Sequence, residues 1–264
     1  ILPPGPEKLF EDAICIYLRM AARHETEEES WKPMTAAEEE NMAIVVDMWT
    51  NAANQGHVRA QCSLGTMYSD GTGVSQNYNE AVQWFRKAAE QGLAEAQYYL
   101  GEMLSKGNGV AQGSKEAALW LDKAAGQGLG EAQANLGFMY RDGEGVTQDY
   151  NKAVRLLRKA ADQGFAMAQL DLGNLYSQGR GVAQDHKKAM QWYRKAADQG
   201  LDIANFNLGT MYHYGEGVAV DYNQAVRWYR KAADQGHTGA QYSIGNMYCL
   251  GLGVAQDYNE AVRW

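Results

Sequence analysis

A 36-residue period constrains this chain more than any other feature. Residues 64–74 read LGTMYSDGTGV and residues 208–218 read LGTMYHYGEGV. A Leu-Gly pair, with Ile once replacing Leu, recurs at Gly65, Gly101, Gly137, Gly173, Gly209 and Gly245, with no insertion between steps. A G-x-G-V element stays in phase, with Val74, Val110, Val146, Val182, Val218 and Val254. A Gln-Gly pair closes each unit at Gly92, Gly128, Gly164, Gly200 and Gly236, and Gly56 closes a preceding half-unit. These positions hold 24 of the 29 glycines, so the glycine content is repeated geometry and not flexible linker. A fixed period of this length predicts a solenoid.

Each unit reads as two helices. Helix A covers about 57–69 in the first unit, with Ala60, Leu64, Met67 and Tyr68 on one apolar stripe. Helix B covers about 78–91, with Ala81, Trp84, Phe85, Ala88 and Ala89 on one face. Asn77 with Glu80 and Asp257 with Glu260 predict capping boxes, Asp221 with Gln224 an amide version, and Gly92 a left-handed helix end. Gly65 lies inside helix A, where glycine costs about 1 kcal/mol relative to alanine. Its recurrence predicts a close helix contact, with the small pairs Ala88-Ala89 and Ala124-Ala125 as the expected facing surface. Trp84, Trp120, Trp192, Trp228 and Trp264 are expected to fill the gaps between units, with Leu156 in their place in the third.

The motifs A-Q-x-x-L-G-x-M-Y, G-x-G-V, D-Y-x-x-A, W-Y-x-K-A-A and Q-G, best seen in ANFNLGTMYHYGEGVAVDYNQAVRWYRKAADQG at 204–236, resemble the Sel-one-like repeats (SLRs), relatives of the tetratricopeptide repeats. The resemblance covers 57–264 closely and 36–56 in part. It implies an all-α, right-handed superhelical solenoid of helix-turn-helix repeats, with helices A lining a concave face. It also implies an adaptor or scaffold role without catalysis. Some bacterial members carry a disulfide in each repeat. This chain departs from them, with only Cys15, Cys62 and Cys249, far apart.

The expected organisation is an N-terminal helical cap and half-repeat over 1–56, then repeats at 57–92, 93–128, 129–164, 165–200, 201–236 and a shortened 237–264. Residues 8–24 predict a capping helix with Leu9, Ala13, Ile16, Tyr17 and Met20 on its apolar face. ETEEES at 25–30 reads as a solvated link. Thr35 with Glu38 predicts a capping box opening a helix that ends at Gly56, with Val45, Met48, Trp49, Ala52 and Ala53 in helix B positions. The sequence lacks an initiator Met and stops part-way along a helix B, so it is expected to belong to a longer chain.

Function classes narrow by chemistry. The net charge of −8 argues against phosphate-backbone binding and anionic membranes. No apolar run is long enough to span a bilayer, and no signal peptide is visible, although the start does not exclude secretion. Scattered cysteines and the lack of an N-x-S/T sequon lean toward a reducing, cytosolic compartment. His24, His57, His186, His213 and His237 form no H-x-x-x-H or H-E-x-x-H pair, so no metal is expected. Gly107-Asn108-Gly109 follows a helix and completes no G-x-G-x-x-G, and neither S-x-x-K nor G-x-S-x-G occurs. No cofactor and no catalytic residue are expected. Arg86-Lys87, Arg158-Lys159, Arg194-Lys195 and Arg230-Lys231 lie near the ends of helices B, where cations meet the negative end of the helix dipole.

The expected site lies on helix A opposite the packing stripe, at Arg59, Cys62, Thr66, Ser69 and Asp70 in the first unit. Its second position runs Cys62, Tyr98, Ala134, Leu170, Phe206, Tyr242. The first adds Met167 and Ile203, the third Phe138, and the last Tyr214 and Leu250. Early units carry Glu95, Glu102, Lys106, Glu131, Arg141 and Asp142 instead. The predicted partner is a protein or peptide, anchored by Tyr98, Phe138, Met167, Leu170, Ile203, Phe206, Tyr214 and Tyr242, with Arg141 as a charged selector. The competing expectation is that these side chains pack against the next helix A. Two other functions fit the same fold: a groove for a glycan or cell-wall polymer, and a module positioning a catalytic domain outside this sequence.

Overall fold

The computed structural model describes residues 4–21 and 34–264. The expected link at 25–30, and His24 with the end of the expected capping helix, lie outside them. The described residues form fourteen α-helices and no strand. The chain divides into two compact units, residues 1–129 and 130–264.

The first unit holds α1 (Pro6–Ala21), α2 (Ala36–Asn54), α3 (Val58–Asp70), α4 (Tyr78–Glu90), α5 (Ala94–Lys106) and α6 (Ser114–Gly126). The second holds α7 (Gly130–Asp142), α8 (Tyr150–Asp162), α9 (Ala166–Gln178), α10 (His186–Asp198), α11 (Asp202–Tyr214), α12 (Tyr222–Ala233), α13 (Thr238–Leu250) and α14 (Tyr258–Arg263). From α3 onward, odd-numbered helices are A and even-numbered are B. Each unit is a stack of helix hairpins around its own core, with Leu9, Phe10, Val45, Trp49 and Leu64 buried in the first and Leu157, Leu172, Tyr193, Leu208 and Tyr229 in the second.

Local geometry follows the repeated glycines. Helix α3 ends at Gly71, whose φ of +76° lets its N–H reach the Met67 carbonyl. At Gly109 a Cβ would lie 2.3 Å from the Tyr78 carbonyl carbon, so only glycine lets this loop approach the start of α4. The Thr35–Glu38 capping box forms in full. The boxes expected at Asn77 and Asp257 form only by half. Both side chains accept helix N–H groups, but their own N–H groups donate to the Tyr68 and Tyr248 carbonyls, at 2.8 and 3.0 Å. Sequence spacing could not show that the preceding helix already supplies that acceptor.

The helix A glycines admit a large side chain, which corrects the expected contact with Ala88-Ala89. A Cβ at Gly65 would sit 2.6 Å from the Phe85 ring, and at Gly173 2.6 Å from the Tyr193 ring. Gly101 and Gly137 face Leu121 and Leu157 in the same way. The tryptophans pack against the core to different depths. Trp84 is buried, but Trp120, Trp192 and Trp228 are half-buried. All four rings are covered by the lysine three residues on, at 3.8 to 4.3 Å.

Buried amides tie successive hairpins together. Gln61 donates to the Ala53 carbonyl and accepts from Gln91, at 3.0 and 2.7 Å. Gln97 and Gln169 repeat both bonds. Asn205 is one methylene shorter and turns back to the Leu201 carbonyl, leaving its buried Oδ1 without a partner. The arginines of the Arg-Lys pairs also reach the next repeat: Arg158, Arg194 and Arg230 donate to the Tyr176, Tyr212 and Tyr248 hydroxyls. Leu104 replaces that tyrosine once, and Arg86 there pairs with Glu116 at 2.9 Å.

Candidate functional site

The helix A positions that vary between repeats are not equally exposed. Leu170 is only 3% exposed and belongs to the core of the second unit, which corrects its placement as a surface anchor. Its side chain packs within that core instead of facing solvent. Tyr98, Phe138 and Phe206 are half-buried. The Phe206 ring stacks on His237, the N-cap of the following helix A, at 4.6 Å. Phe138 packs against the core, with the Arg141 guanidinium 5.2 Å above its ring. Met167, Ile203 and Tyr214 stay exposed within interior repeats, at 50%, 42% and 68%. Tyr242 is exposed too, but no hairpin follows it in this sequence, so its exposure carries no weight as a binding signal.

The exposed apolar residues fall at two ends. Ile203 and Tyr214 stand eleven residues apart on α11, about 16 Å at 1.5 Å per residue. Between the ends, on α7, α9 and α11, lies a polar network that the sequence reading overlooked. Asp171, nine-tenths buried, accepts from Arg141 Nη1 and from Asn174 Nδ2, the latter at 3.3 Å. Asn174 Oδ1 accepts from the Tyr193 hydroxyl at 2.8 Å and from Asn207 Nδ2 at 3.4 Å. The signal was available: the position running Ser63, Tyr99, Asn135, Asp171, Asn207, Ser243 does not repeat, and it follows the position chosen.

Arg141, expected to be a free selector, is largely spent within the fold. Its Nε and Nη2 clamp Asp142 at 2.8 and 2.6 Å while Nη1 holds Asp171. The hydrogen bond to Asp142 raises the guanidinium pKa further, and the same bond holds the Asp142 carboxyl below its ordinary range. Burial raises the pKa of Asp171, with Arg141 opposing the rise. Burial also pushes the Tyr193 phenol up. Arg141, Asp142, Tyr150, Asp171, Asn174 and Arg180 border a concavity of about 300 Å³. It offers hydrogen-bond donors and acceptors of both charges, and no nucleophile is paired with a base there.

A larger concavity, about 770 Å³, lies in the first unit beside α1 and α3. Its His57 is committed to the fold: Nδ1 accepts the Ala60 N–H at 3.1 Å and Nε2 lies 2.9 Å from Glu7. Burial pushes the nearby repeat's Cys62 thiol up to about 12, which suppresses its thiolate. Among the described residues no three His, Cys, Asp or Glu side chains group as metal ligands, and no helix is long and apolar enough to cross a membrane.

Comparison with known proteins gives one consistent pattern. The Sel1 repeat model matches six consecutive segments, residues 58–93, 94–129, 130–165, 166–201, 202–237 and 238–264. The fold is similar to that of a protective antigen present in uropathogenic Escherichia coli strains and displaying an SLR fold, with 35% identity and a TM-score of 0.82. The match covers 99% of this chain and 55% of the antigen, so the chain spans about half of that protein's length. A Sel1 repeat protein from Oxalobacter formigenes is 32% identical with a TM-score of 0.74, over 86% of this chain and 91% of its own. No curated protein matches the sequence.

Proposed function

The chain belongs to the Sel1 repeat family, and from that premise we propose that it is a non-catalytic scaffold whose second unit holds a protein segment along helices α7, α9 and α11. Sel1 repeat proteins generally act as protein-interaction scaffolds, and their solenoid is typically non-catalytic. Met167 and Ile203 anchor the segment at one end of the helices and Tyr214 at the other. The network of Arg141, Asp171, Asn174 and Asn207 between them fixes its orientation through hydrogen bonds. The observation that carries this reading is the exposure of Met167, Ile203 and Tyr214 inside interior repeats, where most apolar side chains are buried. Large exposed apolar side chains gathered on one face are a common feature of protein-contact surfaces.

The test is selection of a displayed peptide library on the intact chain, followed by binding of the recovered peptides to an Ile203→Ser/Tyr214→Ser variant. Neither residue packs in the core, so helicity measured by circular dichroism is expected to hold. Peptides that bind the parent chain are expected to lose tenfold or more on the variant, about 1.4 kcal/mol. Equal binding to both chains contradicts this face assignment.

A further inference from the structure

Helices α8, α10 and α12 carry a second surface, and we propose that it docks a partner segment rich in aspartate and glutamate. This goes beyond the helix A reading and uses none of its residues. Charge in the second unit is sorted by helix. Helices α8, α10 and α12 carry eleven Lys and Arg against Asp162 and Asp198. Helices α7, α9, α11 and α13 carry Glu131, Asp142, Asp171 and Asp202 against Arg141 alone.

The sorting is sharpest on one ridge. Residues at i, i+3 and i+7 share a helix face. On α8 these are Lys152, Arg155 and Lys159; on α10 Lys188, Gln191 and Lys195; on α12 Gln224, Arg227 and Lys231. Seven of the nine are basic, none is acidic, and all seven basic side chains are exposed. The equivalent residues in the first unit are Glu80, Gln83 and Lys87 on α4, and Glu116, Leu119 and Lys123 on α6. Only the last-turn lysine is shared by all five of these helices, and it has a structural reason: the negative end of the dipole and, in four repeats, the tryptophan beneath it.

The remaining charges have no such reason. Lys152 and Lys188 stand at the third helical residue, where the dipole disfavours a cation and where α4 and α6 place glutamate. Lys188 finds Asp185 at 3.3 Å, and Lys152 lies 4.9 Å from the Tyr140 ring centre. The Arg155 and Arg227 side chains make no hydrogen bond, ion pair or ring contact among the described residues. The N-caps Asp149, Asp185 and Asp221 already spend their carboxylates on the N–H groups of Lys152, Lys188 and Gln224, and Asp162, Asp198 and Asp234 follow only the last-turn lysines.

The chemistry selects an acidic polypeptide over other polyanions. Trp192 and Trp228 lie under lysines, so α10 and α12 offer no bare indole face for bases to stack on. No large exposed hydrophobic residue lies on α8, α10 or α12 to enter a bilayer. The chain's net charge of −8 opposes a long polyanion that extends past the patch. A short acidic segment meets only the local charge, because screening at physiological salt reaches about 8 Å.

The experiment is fluorescence anisotropy of labelled oligoglutamate against the intact chain at about 0.15 M salt. The parent chain is expected to bind, with affinity falling as salt rises. Lys152→Glu/Lys188→Glu is expected to lose roughly tenfold or more. That variant recreates the glutamate found at this position on α4 and α6, so it keeps dipole-compatible helices, and circular dichroism checks this. Met167→Ser/Ile203→Ser is expected to bind oligoglutamate as the parent does, which separates this surface from the one on helices A. Absence of binding to the parent, equal binding by the lysine variant, or loss in the Met167/Ile203 variant overturns the proposal. Tighter binding of a DNA duplex or of phosphatidylserine vesicles than of oligoglutamate also overturns it, and reassigns the patch to that polyanion.

Discussion

The two units share one packing plan and carry different surfaces. Residues 1–129 contain 18 acidic and 10 basic side chains, while residues 130–264 contain 14 of each. The first unit accounts for the entire net charge. The second is neutral in sum, with 11 of its 14 bases on α8, α10 and α12. Yet glycine faces a large helix B side chain in both, and buried glutamines bridge hairpins in both. The lesson is that packing uses a subset of positions so strictly that the others are free to reverse sign without disturbing it.

The largest effects test whether the plan is the same in both units. Gly101→Val drives new methyls into Leu121, and Gly173→Val drives them into the Tyr193 ring. Each is expected to lower stability by about 3 kcal/mol in chemical denaturation, the upper range for overpacking. A cost in one unit and none in the other breaks the equivalence.

Next comes Arg141→Ala, a change with no counterpart in the first unit. It leaves the buried Asp171 carboxyl without its cation, at about 2 kcal/mol near neutral pH after allowance for the partly exposed guanidinium. Burial already raises the folded-state pKa of Asp171, and losing Arg141 raises it further. Below the unfolded value, about 3.9, both states are protonated and the loss is small. As pH rises above it, the unfolded chain releases the proton first and the variant's deficit widens. Denaturation at pH 4 and pH 7 reads this directly; a deficit independent of pH contradicts it.

Smaller effects come from the amide bridges. Asn205→Gln restores the reach that Gln61, Gln97 and Gln169 have, and is expected to add about 1 kcal/mol. Gln97→Asn is expected to remove a similar amount. Smallest is Tyr242→Ser, within about 0.5 kcal/mol, since the ring is mostly exposed.

The fold was legible because the period repeats each structural choice six times. The helix pairs, Gly92 at a left-handed helix end and the Thr35 cap could each be read from residue type and spacing. The site was half legible. Met167, Ile203 and Tyr214 stand exposed as expected, whereas Leu170 is buried, because consecutive helix positions differ by about 100° and the neighbouring helix decides which one it covers. Asp171 and Asn174 escaped notice for the same reason. The basic ridge escaped because a net charge of −8 averages over one acidic unit and one neutral unit whose bases are gathered on three helices.

The most direct measurement transplants the first unit's surface onto the second. Lys152→Glu, Arg155→Gln, Lys188→Glu and Arg227→Leu together copy Glu80, Gln83, Glu116 and Leu119. This variant is expected to denature within about 1 kcal/mol of the parent, since all four residues are exposed and outside the packing positions, and to lose oligoglutamate binding. A large fall in stability, or binding that survives the transplant, contradicts the separation of packing from surface.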